Sequence, residues 1–493
     1  MIRFIQRLSN KYERMPLQVK ASLWFLICAF LQKGISSITT PIFTRIFSTA
    51  EYGQFNVFNS WMGIISVIVT LNLSSGVYIQ GLVKFEDRRN QYTSTLQGLT
   101  VTLIVIWLGI YLIFHDFWNN LFSLTTTQML LMFLIMWTTA VITFWSAEQR
   151  VEFKYLKLVI ITVTVSFLRP IISIILIQVA EDKVTARILG IAIVDILGYS
   201  WLFLAQMRRG KQFFSKEIWK YVLQFNLPLI PHYLSNTVLN SSDRIMIDSM
   251  IGSSEAGIYS LAYSVSMIMS IFNQALIQTI EPWLYKKIKE NSISEIPGVA
   301  YPAFILIAIV NLLLMAFAPE IVAVFAPSEY YDAIYVIPPV TMSVYFIFVY
   351  YFFVTFEFYY EKTKYITIAT LSSAALNIVL NYIFIYFFGY YAAGYTTLIC
   401  FILYAMFHYI MMNKVVQQRT GIKKKVYDIK ILLLITGVFM SFGFLLLFTY
   451  KHIVLRYILL FSIIILLIVK RKFIKQAIKG LIDIRKKKEQ EGN

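Results

Sequence analysis

Runs of about twenty apolar residues follow one another from end to end of this chain, and they leave it very few possible folds. A helix that crosses a bilayer needs roughly 20 such residues. Windows of that size fall at 21–43, 55–79, 95–114, 127–147, 157–178 and 187–206, then at 222–248, 257–280, 299–317, 335–357, 365–387, 394–412, 430–449 and 453–470. Fourteen spans leave only short connections, so there is no room for a soluble catalytic domain. Hydrophobic residues make up 58% of the sequence and charged ones 14%, a balance that soluble globular chains do not show. The expected fold is an all-α polytopic membrane protein.

The formal charge of +18 would suit a nucleic-acid binder only if the basic residues gathered on one soluble face. Instead they punctuate the apolar runs, so no nucleic-acid partner is expected. Lys and Arg in short loops collect on the cytosolic side of a membrane. With a cytosolic N-terminus, the inner loops and both tails hold 36 of the 44, and the outer loops hold only Arg45, Lys183, Arg187, Lys451 and Arg456. One span more or fewer would scramble that alternation. Both termini are therefore expected in the cytosol. The basic N-terminal stretch reads as a retained tail, because no small-residue cleavage site follows the first apolar run. The C-terminal "RKFIKQAIKGLIDIRKKKEQEGN" reads as a solvated or headgroup-binding tail. Cys28 and Cys400 both lie inside apolar runs, too far apart in sequence to suggest a disulfide framework or a metal site.

The chain also repeats itself. "FSTAEYGQFNVFNS" (Phe47 to Ser60) aligns with "IGSSEAGIYSLAYS" (Ile251 to Ser264) at an offset of 204, matching Glu51, Gly53, Phe55 and Ser60 to Glu255, Gly257, Tyr259 and Ser264. A weaker echo sets Glu148 and Glu152 against Glu357 and Glu361 at an offset of 209. Two six-span bundles of parallel topology are expected, pseudo-symmetric, with two further spans at the C-terminus. The expected divisions are 1–209, 210–419 and 420–493, and transporters built this way place their sites between the halves.

Four stretches carry a family resemblance: "TPIFTRIFSTAEYGQF" with Pro41, Arg45, Glu51, Tyr52 and Gly53; "NSSDRIMIDSMIGSSEAGIYSLAYS"; "PWLYKK"; and "LNIVLNYIFIYFFGYYAAGYTTL". Together they resemble the polysaccharide-unit flippases, the Wzx-type O-antigen transporters of the multidrug/oligosaccharidyl-lipid/polysaccharide exporter superfamily. The resemblance covers the first twelve spans. It implies transport of an oligosaccharide linked to a lipid diphosphate of the undecaprenyl type, from the inner to the outer leaflet of a bacterial plasma membrane, for O-antigen or other surface polysaccharide. It implies two lobes around a cavity, often cationic, that opens alternately to each side. A polysaccharide polymerase and chain-length machinery are the partners that such a role suggests.

The residues give the same direction independently. Lys33 lies 13 residues after Lys20 and 12 before Arg45, near the bilayer midplane at about 1.5 Å per residue. An ammonium facing lipid there would cost at least roughly 2.5–3.5 kcal/mol, so it should face a water-filled cavity or a carboxylate. Gly34, Ser36, Ser37, Thr39, Thr40 and Pro41 make the outer half of this span polar and bendable. Arg169 and Asp195 fall at similar depth on neighbouring spans, where Arg169 either braces the first bundle against Asp195 or lines the cavity. Pro170 follows Arg169 directly and should kink that span. Asp195 is also a candidate to carry a coupling proton or cation. Arg244 and Asp248 share a helix face at i,i+4 and can pair, unless Arg244 is a second cavity cation. Asp243 points about 100° away from Arg244. Ser373, Asn377 and Asn381 form a polar stripe that either meets sugar hydroxyls or joins helices.

Enzyme motifs are missing from the sequence. It holds no HExxH, P-loop or dinucleotide fingerprint, and His115, His232, His408 and His452 are scattered. No metal and no cofactor is expected. A membrane polymerase or glycosyltransferase would carry a long charged outer loop, whereas the longest outer connection, 318–332, has no Lys or Arg. A drug or cation antiporter of the same superfamily should prefer mid-depth acidic residues, against which Lys33 argues.

Overall fold

The computed structural model describes residues 15–421 and 425–469, so the C-terminal basic tail and the first 14 residues of the N-terminal one lie outside the described residues. The described residues form helices and no strands, as a bilayer requires of a chain that must satisfy its backbone within each segment. In the first half the helices are α1 Leu17–Ile46, α2 Thr49–Thr70, α3 Gly76–Lys84, α4 Arg89–Ile113, α5 His115–Phe122, α6 Thr126–Val151, α7 Tyr155–Ile177 and α8 Lys183–Gly210. A linking helix, α9 Lys216–Asn226, follows. The second half runs α10 Ile230–Met250, α11 Ser253–Ser266, α12 Met269–Lys289, α13 Ile296–Ala316, α14 Ala318–Phe325, α15 Ile337–Tyr359, α16 Thr363–Phe388 and α17 Tyr391–Thr420. Two more, α18 Ile429–Thr449 and α19 Ile453–Val469, complete the described chain.

Among the described residues, 11 helices are long and apolar enough to cross a membrane. The other three expected spans fall on the α2–α3 pair, on the polar α10 and on α19. Helix starts are set by side chains. Thr125 and Gln128 make a reciprocal capping box at α6, and Asp182 and Ser215 cap α8 and α9.

The order of elements repeats along the chain. The eight-residue α14 lies 203 positions beyond the eight-residue α5, and each follows a long apolar helix directly. The turns after α6 and α15 repeat as well. Phe153 and Glu361 both adopt left-handed backbone (φ 55° and 57°), and Lys154 N–H donates to Gln149 O as Lys362 N–H donates to Glu357 O, each at 2.8 Å. Those pairs stand 208 apart, one position from the sequence alignment that set Glu148 against Glu357. In space Glu357 therefore corresponds to Gln149. Each half also breaks its second span, between α2 and α3 and between α11 and α12.

The described residues divide into two compact units. The first comprises residues 15–43 and 57–237, the second 44–56 together with the described residues from 238 to 469. In the first, Tyr78, Tyr92 and Phe144 pack at the centre, and Ile218 and Val222 of α9 join them. The α2–α3 break, with Leu71 and Asn72 at φ 49° and 50°, is held there by the Asn226 amide, which donates to Leu71 O. In the second unit the core is aromatic, built from Phe304, Tyr345, Phe348, Phe352, Phe356 and Tyr427.

The first turns of α2 and α11 meet within the second unit, and glycine is what lets them meet. A Cβ on Gly53 would lie 1.9 Å from Ser253 O, and one on Gly257 would lie 2.0 Å from Thr49 O. The contact is reciprocal, because Thr49 and Ser253 stand at the same offset of 204 as Gly53 and Gly257. Thr49 Oγ1 also donates to Ser254 Oγ at 3.1 Å. Small residues at helix crossings in membranes serve this kind of backbone approach.

Candidate functional site

In the first unit, Lys33 sits half-buried at the middle of α1, on a helix whose other residues from Trp24 to Ile35 are almost all apolar. Ser37 Oγ donates to Lys33 O at 3.0 Å, a bond that turns the hydroxyl back onto its own helix. Arg169 on α7 meets Asp195 on α8 through two bonds, Nε to Oδ1 at 2.6 Å and Nη2 to Oδ2 at 2.8 Å. Asp195 is fully buried, while the Arg169 side chain keeps 35% of its surface exposed. A bidentate pair of this geometry cancels the carboxylate's charge. Arg169, expected either as a brace or as a cavity cation, is thus committed to Asp195 in this state.

In the second unit, Arg244 and Asp248 on α10 do not pair with each other. Arg244 stacks its guanidinium 4.0 Å from the centre of the Tyr263 ring and donates to Asn240 O at 3.2 Å. Asp248 accepts from Ser253 Oγ at 2.5 Å. The i,i+4 spacing made an ion pair possible, but an aromatic face and a hydroxyl from α11 intervene.

Asp243 forms the most elaborate polar cluster of the second unit. It is 2% exposed, and its oxygens accept from Tyr259 Oη at 2.6 Å, Asn381 Nδ2 at 2.5 Å and Thr397 Oγ1 at 2.8 Å. Asn377 Oδ1 accepts from Asn381 Nδ2 at 3.2 Å and from Ser242 Oγ at 3.0 Å, and Thr396 Oγ1 donates to Asn381 Oδ1. Asn377 and Asn381, weighed as sugar contacts or as helix glue, are fully buried and join α10, α16 and α17. Ser373, higher on the same stripe, is buried too.

Charge balance separates the three candidate carboxylates. Asp195 has an arginine and Asp248 a hydroxyl near the surface, but Asp243 is a buried acid whose hydrogen-bond donors are all neutral. A buried charge whose hydrogen bonds all come from neutral dipoles remains costly, although the charge of Arg244 next along the helix also favours it. Among the described residues, no group of three or more His, Cys, Asp or Glu could hold a metal.

Reasoning from sequence missed Tyr259, Thr396 and Thr397. Tyr259 lay in plain view at the end of the repeated Glu-x-Gly-x-Tyr stretch, but nothing in that spacing tied it to Asp243. Glu357 on α15 and His408 on α17 were missed as a pair. They bond at 2.7 Å with both side chains fully buried, between the rings of Tyr350 and Tyr404. Glu357 Oε2 and His408 Nε2 have no other hydrogen-bond partner.

Residues 19–287 match the family described as "Polysaccharide biosynthesis protein". The chain belongs to that family. Among its relatives is the Lsg locus putative protein 1 of Haemophilus influenzae, 24% identical over 388 residues, which are 73% of this chain and 89% of that protein. An uncharacterized membrane protein of the same organism is 20% identical over 73% of this chain and 88% of its own length. Among solved structures, the chain is similar to an inward-facing multidrug resistance MATE transporter of the MOP superfamily, at a TM-score of 0.60 and 14% identity over 80% of this chain and 96% of that one. It is also similar to a MOP superfamily transporter from Pyrococcus furiosus described by the reverse polarity of its binding pocket, at a TM-score of 0.55 and 14% identity over 83% of this chain and 98% of that one. These likenesses give the fold. A polysaccharide biosynthesis family member with the fold of the MOP transporters and many apolar helices is a multi-pass membrane protein.

Proposed function

We propose that the protein flips a lipid-diphosphate-linked oligosaccharide unit from the cytosolic to the outer leaflet of a bacterial plasma membrane, by alternating access, for O-antigen or another surface polysaccharide. The observation that carries this reading is Lys33, a half-buried cation at mid-span in a polysaccharide biosynthesis family member. A diphosphate crossing a bilayer needs compensating positive charge at depth, where an unpaired charge costs most. Lys33 and Arg244 supply it, and Arg169 braces α7 to α8 through Asp195. Asp243 carries the coupling proton or cation. The reversed pocket polarity described for the Pyrococcus furiosus transporter supports a superfamily branch whose cargo differs from that of the drug exporters. A polysaccharide polymerase and chain-length proteins take the unit on the outer side.

Replacing Lys33→Ala tests the assignment. Surface display of the polymer should be lost while the protein stays at its normal level in the membrane, and Lys33→Arg should restore display. Normal display in the alanine variant would remove Lys33 from the mechanism. Deletion of the gene should cause lipid-linked units to accumulate on the cytosolic side. Unchanged lipid-linked pools, together with new sensitivity to cationic dyes, would favour a drug antiporter instead, the reading that the MATE neighbours share at the level of fold.

A further inference from the structure

The linking helix α9 shows two unlike faces. Ile218, Val222 and Asn226 turn into the core of the first unit. On the other side Lys216, Lys220, Leu223 and Leu227 follow one another at i, i+4, i+7 and i+11, which sets them on a single stripe. That stripe edges an open shelf of about 590 Å³, whose walls include Trp219, Pro228 and the exposed Phe214. Trp219 is held in place by its Nε1–H, which donates to Thr95 O at 3.0 Å, and by edge-on packing with Phe214 at 4.8 Å.

The charges around the shelf are of one sign. Lys216 and Lys220 are exposed, and neither makes an ion pair with a described residue. Glu217, the acidic residue between them, is drawn away by Arg88 at 3.2 Å. Lys84 lies over the Tyr221 ring at 3.9 Å on the flank. The stripe also has a direction. It is cationic where α9 begins and apolar where α9 leads into α10, with about 16 Å between Lys216 and Leu227 at 1.5 Å per residue. That is the order of polarity in a phospholipid, charged at the interface and apolar towards the bilayer centre.

We propose that this shelf binds an anionic phospholipid of the inner leaflet, with its phosphate on Lys216 and Lys220 and an acyl chain along Leu223, Leu227 and Pro228. The site is separate from the transport site and stands whatever the cargo. A bound lipid there pins the connection between the two halves of the chain to the membrane surface.

Quenching of Trp219 by brominated lipids reads the site directly. The full-length protein is placed in phosphatidylcholine bilayers holding a small fraction of either brominated phosphatidylglycerol or brominated phosphatidylcholine, and the emission of Trp219 is taken as the difference from a Trp219→Phe variant. Phosphatidylglycerol should quench with a preference of roughly thirty-fold, the order expected of two lysines acting on one anionic headgroup. Lys216→Gln with Lys220→Gln should abolish the preference, Lys216→Arg with Lys220→Arg should keep it, and Lys362→Gln with Lys364→Gln, elsewhere on the chain, should leave it unchanged. Equal quenching by the two lipids would overturn the proposal. So would a preference that survives loss of both lysines, since both are exposed and their removal leaves the packing of α9 intact.

Discussion

Substitution at the reciprocal glycine contact should show how tightly the repeated turns are held. A Cβ on Gly53 would sit 1.9 Å from Ser253 O, whereas an ordinary carbon–oxygen contact is about 3.3–3.6 Å, so Gly53→Ala must part the two backbones by roughly 1.5 Å. Neither atom is the end of a flexible side chain, so the helices themselves must shift. Overpacking of this kind costs about 1–3 kcal/mol, and the better helix propensity of alanine offsets at most about 1 kcal/mol of it. Gly257→Ala meets Thr49 O at 2.0 Å and should lose a similar amount. The double variant is the sharper test. Once the helices have separated to admit one methyl the second finds the gap already open, so the combined loss should fall well short of the sum of the single losses. Gly109→Ala, with nothing within 4 Å of its Cβ, serves as the control and should be neutral or stabilising. Thermal unfolding of the purified variants in one detergent measures all four. A Gly53→Ala protein as stable as Gly109→Ala, or a double variant whose loss equals the full sum, would refute the close backbone contact.

Other expectations follow from the buried charges. Arg169→Ala strands Asp195, which is fully buried, and should destabilise the protein by about 3 kcal/mol, while adding Asp195→Asn should recover most of that loss in the same unfolding assay. His408→Phe leaves Glu357 alone among aromatic rings and should lower membrane yield sharply; Glu357→Gln with His408→Gln, which keeps a neutral hydrogen bond, should be tolerated. Asp243→Asn should leave the protein inserted in the membrane but slow polymer display. Display at the normal rate would show that Asp243 has no coupling role.

Much of the architecture was legible because it follows from length and period. A bilayer fixes the length of a span, and duplication fixes an offset, so the apolar runs and the Gly53 and Gly257 stretches could be read directly. Arg169 and Asp195 were set at similar depth by counting residues from the nearest inner and outer charges, and in space they meet. Depth says nothing about rotation, however, and rotation decides which groups Asp243 faces. Its partners come from α11, α16 and α17, three helices whose azimuths are set by packing. The pairing of Arg244 with Asp248 failed for a related reason. Spacing along one helix ignores a neighbour, and Tyr263 offered the guanidinium a ring. The short α5 and α14 escaped notice because eight residues carry too weak a period to stand out beside long apolar runs. The one-position slip between Glu148 and Glu357 arose in a turn, where a left-handed residue re-phases the chain and an alignment of glutamates could not see it.

The meeting of Gly53 with Thr49, Gly257 and Ser253 has the form of an isologous contact, in which position i of one copy touches position j of the other and j touches i. Only a homodimer or an internally duplicated chain builds such a thing. For an unfused ancestor a single glycine codon would have served both sides of the junction, so any change there would have struck it twice. In the present chain Gly53 and Gly257 are encoded separately, so each side of the junction can vary alone.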